Sequence, residues 1–122
     1  MTKTNKAPPI VLVAEDEPLV RLDITLALSD AGFAVIETRS ADDALEVLEA
    51  RHVDVIFTDI EMPGRLDGLR LAEIVAERWP DTAVIATSGR RSVDADSDLV
   101  FFPKPYDTGV VISRARALAH AA

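Results

Sequence analysis

The chain has no cysteine, which excludes disulfides, thiol nucleophiles and thiolate metal sites. Basic residues are outnumbered: 13 Lys plus Arg stand against 21 Asp plus Glu, a net charge of −8. Sequence-independent binding of nucleic acid needs a basic surface, so that class is disfavoured, whereas a bound cation or a basic face on a protein partner suits the acidic surplus. Nucleotide-binding signatures are missing too, since neither a GxGxxG nor a Walker-type loop occurs. No apolar run approaches the ~20 residues that cross a bilayer, and the opening "MTKTNKAPP" is too polar for a signal peptide. A cytoplasmic protein with no membrane or nucleic-acid partner is expected.

What is present suits one domain. A length of 122 residues can bury a single core, and 48% hydrophobic residues fit a globular chain. Residues 1–9 are polar and proline-bearing and read as a flexible tail, leaving 10–122 as the domain. "IVLVA" (10–14) is a short continuous apolar run, the pattern of a strand covered on both faces. Residues 18–31 follow as a helix, with Leu19, Leu22, Leu26 and Ala27 as its apolar stripe and Gly32 closing it. "FAVIET" (33–38) is the second strand; Ser40 with Asp43 forms a capping box, Asp replacing the usual Glu or Gln, for a helix through Ala50. "VDVIFTD" (53–59) is the third strand. Residues 67–79 are helical, with Leu69, Ala72, Val75 and Ala76 on one face and Pro80 as terminator. "AVIATS" (83–88) and "LVFFP" (99–103) are strands, and Asp107 with Thr108 caps a last helix to about Ala119. Residues 89–98 hold Gly89, Ser92 and three aspartates, so any helix there is short. Strands alternating with helices imply an α/β fold, a five-stranded parallel sheet with helices on both faces. Ligands of such folds bind beyond the carboxyl ends of the strands.

At those ends stand Glu15, Asp16 and Glu17 after the first strand, Asp59 after the third, Ser88 after the fourth and Lys104 after the fifth. Singly, each has an ordinary reading. Asp16 or Glu17 ahead of Pro18 can cap a helix, Asp59 can cap a loop, Ser88 beside Gly89 can shape a turn, and Lys104 can be a solvated loop residue. Together they say more. Two carboxylates about 5 Å apart repel by roughly 3 kcal/mol at an effective dielectric of 20, and a cluster is tolerable around a hard cation such as Mg²⁺. A cation, a carboxylate nucleophile, a lysine and a hydroxyl are the inventory for phosphoryl transfer to an aspartate.

The motifs "IVLVAEDEP", "FTDIEMPG", "LDG", "ATSG" and "FFPKPY", in this order over nearly the whole chain, resemble the receiver domain of two-component response regulators. The resemblance implies a doubly wound, flavodoxin-like sheet of order 2-1-3-4-5, with Asp59 as phospho-acceptor. It implies Mg²⁺ held by Glu15, Asp16, Asp59 and the backbone carbonyl of Glu61. It assigns Ser88 and Lys104 to the phosphoryl oxygens, Phe101 to an aromatic switch that follows Ser88, and a cis bond to Lys104–Pro105. Such a protein accepts its phosphoryl group from a histidine kinase or histidine phosphotransfer protein and signals to a downstream effector protein. It catalyses its own phosphorylation and dephosphorylation without being a turnover enzyme. The chain ends soon after Tyr106, which suggests a stand-alone receiver, monomeric or weakly dimeric.

Three features depart from that pattern. "MPGRLDG" is one residue longer than the common loop, the segment between Ser88 and Lys104 is short enough to give a shortened fourth helix, and Gly89 follows Ser88. His52 and His120 are too isolated to act as ligands or bases, Trp79 reads as a packing residue, and Arg65, Arg90 and Arg91 as solvated. Within the class, a phosphate sink or relay intermediate is an alternative. Outside it stand a Mg²⁺-dependent aspartyl-phosphate phosphohydrolase, with Glu61 as general acid, and an unphosphorylated adaptor.

Overall fold

Two of the apolar runs, residues 10–14 and 55–59, end up with nearly every residue out of water, because helices cover the sheet on both sides. The computed structural model describes residues 7–91 and 99–120. Strand β1 (Ile10–Ala14) leads to α1 (Pro18–Asp30), β2 (Ala34–Thr38), α2 (Ala41–Ala50), β3 (Val55–Asp59), α3 (Gly68–Arg78), β4 (Ala83–Ser88), β5 (Val100–Pro103) and α4 (Thr108–Ala119). The strands form one sheet of order β2-β1-β3-β4-β5, and every pairing is parallel. This is the doubly wound order expected. The tail expected at residues 1–9 lies outside the described residues up to residue 6; the Pro9 carbonyl already accepts a hydrogen bond from Ala34 N–H (3.0 Å). Four helices occur among the described residues, and the shortened helix expected within 89–98 falls mostly on residues 92–98, which lie outside them.

The period of two along each strand divides the core. Val11, Val13, Val55, Phe57 and Ile85 face Ile24 and Leu28 of α1 and Val111 and Ala115 of α4. Leu12, Ala14 and Ile56 face Ala41, Ala44 and Leu48 of α2 and Leu71 and Val75 of α3. Two caps form where expected: Ser40 accepts from Asp43 N–H and Asp107 from Val110 N–H; the structure adds a third, Asp67, which accepts from Arg70 N–H. Gly32, at φ +100°, takes the left-handed conformation that closes α1.

The helix faces differ from expectation. Leu19, Leu22 and Leu26 are 75%, 50% and 55% exposed, and α1 buries Ile24 and Leu28 instead. This helix carries apolar residues on two sides, and the sheet takes the side where the Arg21 guanidinium reaches the Glu15 carbonyl (2.8 Å). On α3 the buried pair is Leu71 and Val75, while Leu69 and Ala72 are half-buried and Ala76 is exposed.

Candidate functional site

The parallel register brings the carboxyl ends of β1, β3, β4 and β5 to one edge, so each residue that follows a strand arrives there by construction. Lys104 follows β5; its backbone N–H donates to the Ser88 carbonyl (2.9 Å), and the Lys104–Pro105 bond is cis. Its Nζ donates to Asp59 Oδ2 at 3.0 Å and to Glu15 Oε1 at 3.1 Å. Glu15 is 1% exposed, and its other oxygen accepts from Glu17 N–H (3.0 Å). Glu17, at the N-cap position of α1, makes no side-chain cap. Asp59 is buried with its Oδ1 lacking any hydrogen-bond partner. Carboxylate oxygens of Glu15, Asp16 and Asp59 lie within 4.8 Å of one another, with Asp16 exposed to solvent.

Electrostatics follow from this crowding. Burial raises the Asp59 carboxyl above its ordinary value of 3.8, Lys104 opposes the rise, and the charge of Glu61 adds to it. Glu15 is raised above 4.5, chiefly by burial, with the Asp59 charge adding and the Glu17 N–H and Lys104 opposing. Burial alone would lower Lys104, but hydrogen bonds and charges from Asp59 and Glu15 outweigh it and raise the ammonium above 10.5. Tyr106, packed edge-on against Phe57 at 5.5 Å between centroids, is pushed up to about 12 by burial and then by the Glu15 charge.

Ser88 is 1% exposed and serves two ends. It accepts from Arg90 N–H (3.0 Å) and Arg91 N–H (2.8 Å), the turn-shaping role, and its hydroxyl lies 2.7 Å from both Glu61 carboxylate oxygens. Phe101 pairs in register with Ala86 and Pro103 with Ser88, so Phe101 occupies the face of the sheet that Ser88 shares, half-buried. Phe102 alternates to the other face and packs with the α1 and α4 core.

The longer loop has a structural anchor. Gly64 adopts φ +113°, and the next residue, Arg65, donates its N–H to Asp42 Oδ2 on α2 (3.1 Å). An open cavity of about 560 Å³ lies above the strand ends, lined by Asp16, Asp59, Glu61, Asp67, Arg91 and Lys104 among others.

Two readings change. Arg91 is not merely solvated: its Nε is 3.4 Å from Glu61 and its Nη1 3.6 Å from Asp67. Glu61, expected to act through its backbone carbonyl, also engages Ser88 and Arg91 with its carboxylate. Arg21 and Tyr106, which support Glu15 and the core beneath Asp59, were not singled out; the one available signal for Tyr106 is its place directly after Lys104-Pro105. His52 is exposed and pairs with Asp54 (3.0 Å), and His120 ends α4, both outside the site.

Comparison with known proteins agrees with this arrangement. The family described as response regulator receiver domain matches residues 11–100. The nitrogen assimilation regulatory protein NtrX of Azorhizobium caulinodans is 32% identical over 116 residues, covering 88% of this chain and 26% of its own length. The sensor kinase CckA of Brucella abortus is 36% identical over 104 residues, covering 79% of this chain and 11% of its own length. The chain thus spans about a quarter or less of these curated relatives. A crystal structure of a response regulator receiver protein from Sinorhizobium medicae superposes with a TM-score of 0.85 at 28% identity, covering 93% of this chain and 96% of that one. No helix among the described residues is long and apolar enough to cross a membrane.

Proposed function

Since the chain belongs to the response regulator receiver domain family, we propose that Asp59 accepts a phosphoryl group from the phosphohistidine of a histidine kinase or histidine phosphotransfer protein. The observation that carries this reading is the state of Asp59. It is a buried carboxylate with one oxygen on Lys104 and the other without a partner, at the strand edge where the family places its acceptor. The bond from phosphorus to the imidazole nitrogen breaks as the bond from phosphorus to an Asp59 oxygen forms. Lys104, already between Asp59 and Glu15, balances the negative charge gathering there, and Ser88 can donate its hydroxyl proton to a phosphoryl oxygen.

The donor set fits a hard divalent cation: oxygen ligands only, with an orphaned buried Asp59 Oδ1 beside Glu15 and Asp16. Glu15, Asp16, Asp59 and the Glu61 backbone carbonyl would hold Mg²⁺, which when bound supplies charge neutralisation for the transfer. Docking of the donor is supported by the exposed leucines of α1. Leu19 of that stripe, with Val20, Pro105 and Tyr106, lines a second cavity that also touches Lys104. An apolar helix laid there would bring its imidazole toward Asp59. We place the protein in the cytoplasm, as a signalling protein that hydrolyses its own acyl phosphate and passes the signal to an effector protein, with Phe101 moving as Ser88 changes partner.

The test is incubation with acetyl phosphate with and without Mg²⁺. A single Mg²⁺-dependent, acid-labile adduct by intact mass is expected, and borohydride reduction should convert residue 59 to homoserine. No adduct, or reduction at another residue, would sink the assignment. A second outcome concerns Gly89, which borders the cavity. A Cβ there would meet Lys104 Cβ at 3.7 Å, an ordinary contact. Gly89→Ala should therefore fold normally and slow hydrolysis of the acyl phosphate by about 2–5-fold, by narrowing the approach of water. A phosphorylated half-life unchanged in a decay assay would argue against that gating.

A further inference from the structure

Ser88 has no hydrogen-bonding capacity to spare. A hydroxyl offers one proton and two lone pairs. Both lone pairs are met by the N–H groups of Arg90 and Arg91, and the proton faces the Glu61 carboxylate at 2.7 Å. A hydroxyl bonded to a carboxylate at that length is charge-assisted and stronger than a neutral pair. Any phosphoryl oxygen on Asp59 that is to receive the Ser88 proton must take it from Glu61.

Glu61 is itself steadied. Arg91 lies between it and Asp67, and Asp67 caps α3 through the Arg70 N–H at 2.8 Å. Arg91 is 48% exposed, so its ion pairs alone contribute little. The better-shielded link is Ser88 to Glu61, part-buried, and it joins the end of β4 to the loop that follows Asp59. A phosphoryl group would bring nearly two negative charges into the cavity that Glu61 lines, so the same carboxylate also opposes it by repulsion.

We propose that the Glu61 side chain is a built-in competitor for Ser88: it holds the hydroxyl proton in the unphosphorylated protein and must release it for the phosphoryl group to be bound. This rests on the phospho-acceptor reading above and adds to it a positioning residue that sets how readily the site switches.

The experiment is a double-mutant cycle on the full chain, with beryllofluoride plus Mg²⁺ as the phosphoryl probe and fluorine NMR as the affinity readout. Glu61→Ala, which keeps the backbone carbonyl, should tighten beryllofluoride binding about tenfold, the scale of one hydrogen bond to a charged group. In a Ser88→Ala background, where no proton is contested, the same change should tighten it by no more than about threefold, the share left to charge. Glu61→Gln, which keeps an acceptor without the charge, should fall between wild type and Glu61→Ala. Equal tightening in both backgrounds would reduce Glu61 to an electrostatic bystander and overturn the competition, as would no tightening at all. Failure of the wild type to bind beryllofluoride would instead overturn the phospho-acceptor reading, and this inference with it.

Discussion

Asp59→Asn should take up no phosphoryl group from acetyl phosphate and should melt higher than the wild type at neutral pH. Loss of transfer follows because an amide has no anionic oxygen to attack phosphorus. The gain in stability follows from burial. Asp59 is 6% exposed, and its carboxyl is raised above 3.8 because burial and the Glu61 charge disfavour the ionised form more than Lys104 favours it. Neutralising it also leaves Lys104 entirely to Glu15, at 3.1 Å. The gain should be on the order of 1 kcal/mol, roughly 3–5 °C in Tm for a chain of this size.

The pH dependence identifies the cause. A carboxyl whose folded pKa is raised contributes stability that is fully present below its unfolded value and lost as pH rises through the folded one. For Asp59 the window opens at 3.8 and for Glu15 at 4.5. Below it the two proteins should melt alike, and the advantage of Asp59→Asn should grow as pH rises toward neutrality. Adding Mg²⁺ at neutral pH should raise the wild type more than the variant, by mass action at a site the variant has weakened. The checks are melting curves at pH 3.5, 5 and 7.5 in EDTA and in Mg²⁺, beside the phosphorylation assay. A Tm difference independent of pH would mean that the amide of the variant stabilises by packing rather than by removing a buried charge.

The fold was legible because its strands announce themselves. A parallel strand buried on both faces is a continuous apolar run, and "IVLVA" and "VIFTD" can hardly be anything else. Once the strands are placed, their carboxyl ends bring Glu15, Asp59, Ser88 and Lys104 together by topology alone. Helix faces were harder. In α1, the residues Leu19, Leu22 and Leu26 have the spacing of a buried stripe, yet Ile24 and Leu28 are what the sheet covers. Periodicity marks an apolar side, and when a helix has two it cannot say which one meets the core. The Glu61 carboxylate was also beyond reach. Its contact with Ser88 spans 27 residues, and its aim depends on a loop whose course is set by Gly64 and by Asp42, on a different helix. No local pattern encodes that.

Gly68→Ala should damage both stability and phosphorylation, although alanine at a helix start would ordinarily be favourable. The first residue of α3 lies directly against the backbone that follows Asp59: Gly68 N–H donates to the Ile60 carbonyl at 2.9 Å. A Cβ there would stand 2.8 Å from Ile60 Cα and 2.9 Å from the Asp59 carbonyl carbon, and nearer still to the Asp59 carbonyl oxygen. These are backbone atoms and cannot rotate aside, so either α3 or the end of β3 must shift. Overpacking of this kind costs about 3 kcal/mol, a fall of roughly 10 °C. Displacing Asp59 relative to Lys104 by about 1 Å can slow transfer ~100-fold. Gly89→Ala serves as the control for stability, since its Cβ meets nothing closer than 3.7 Å, and the wild type as the control for labelling. Thermal melts of both variants, and acetyl phosphate labelling of Gly68→Ala beside the wild type, decide the matter. A Gly68→Ala protein that melts like Gly89→Ala and labels like the wild type would show that α3 can move away from β3 without disturbing Asp59, and that the glycine is not what seats it.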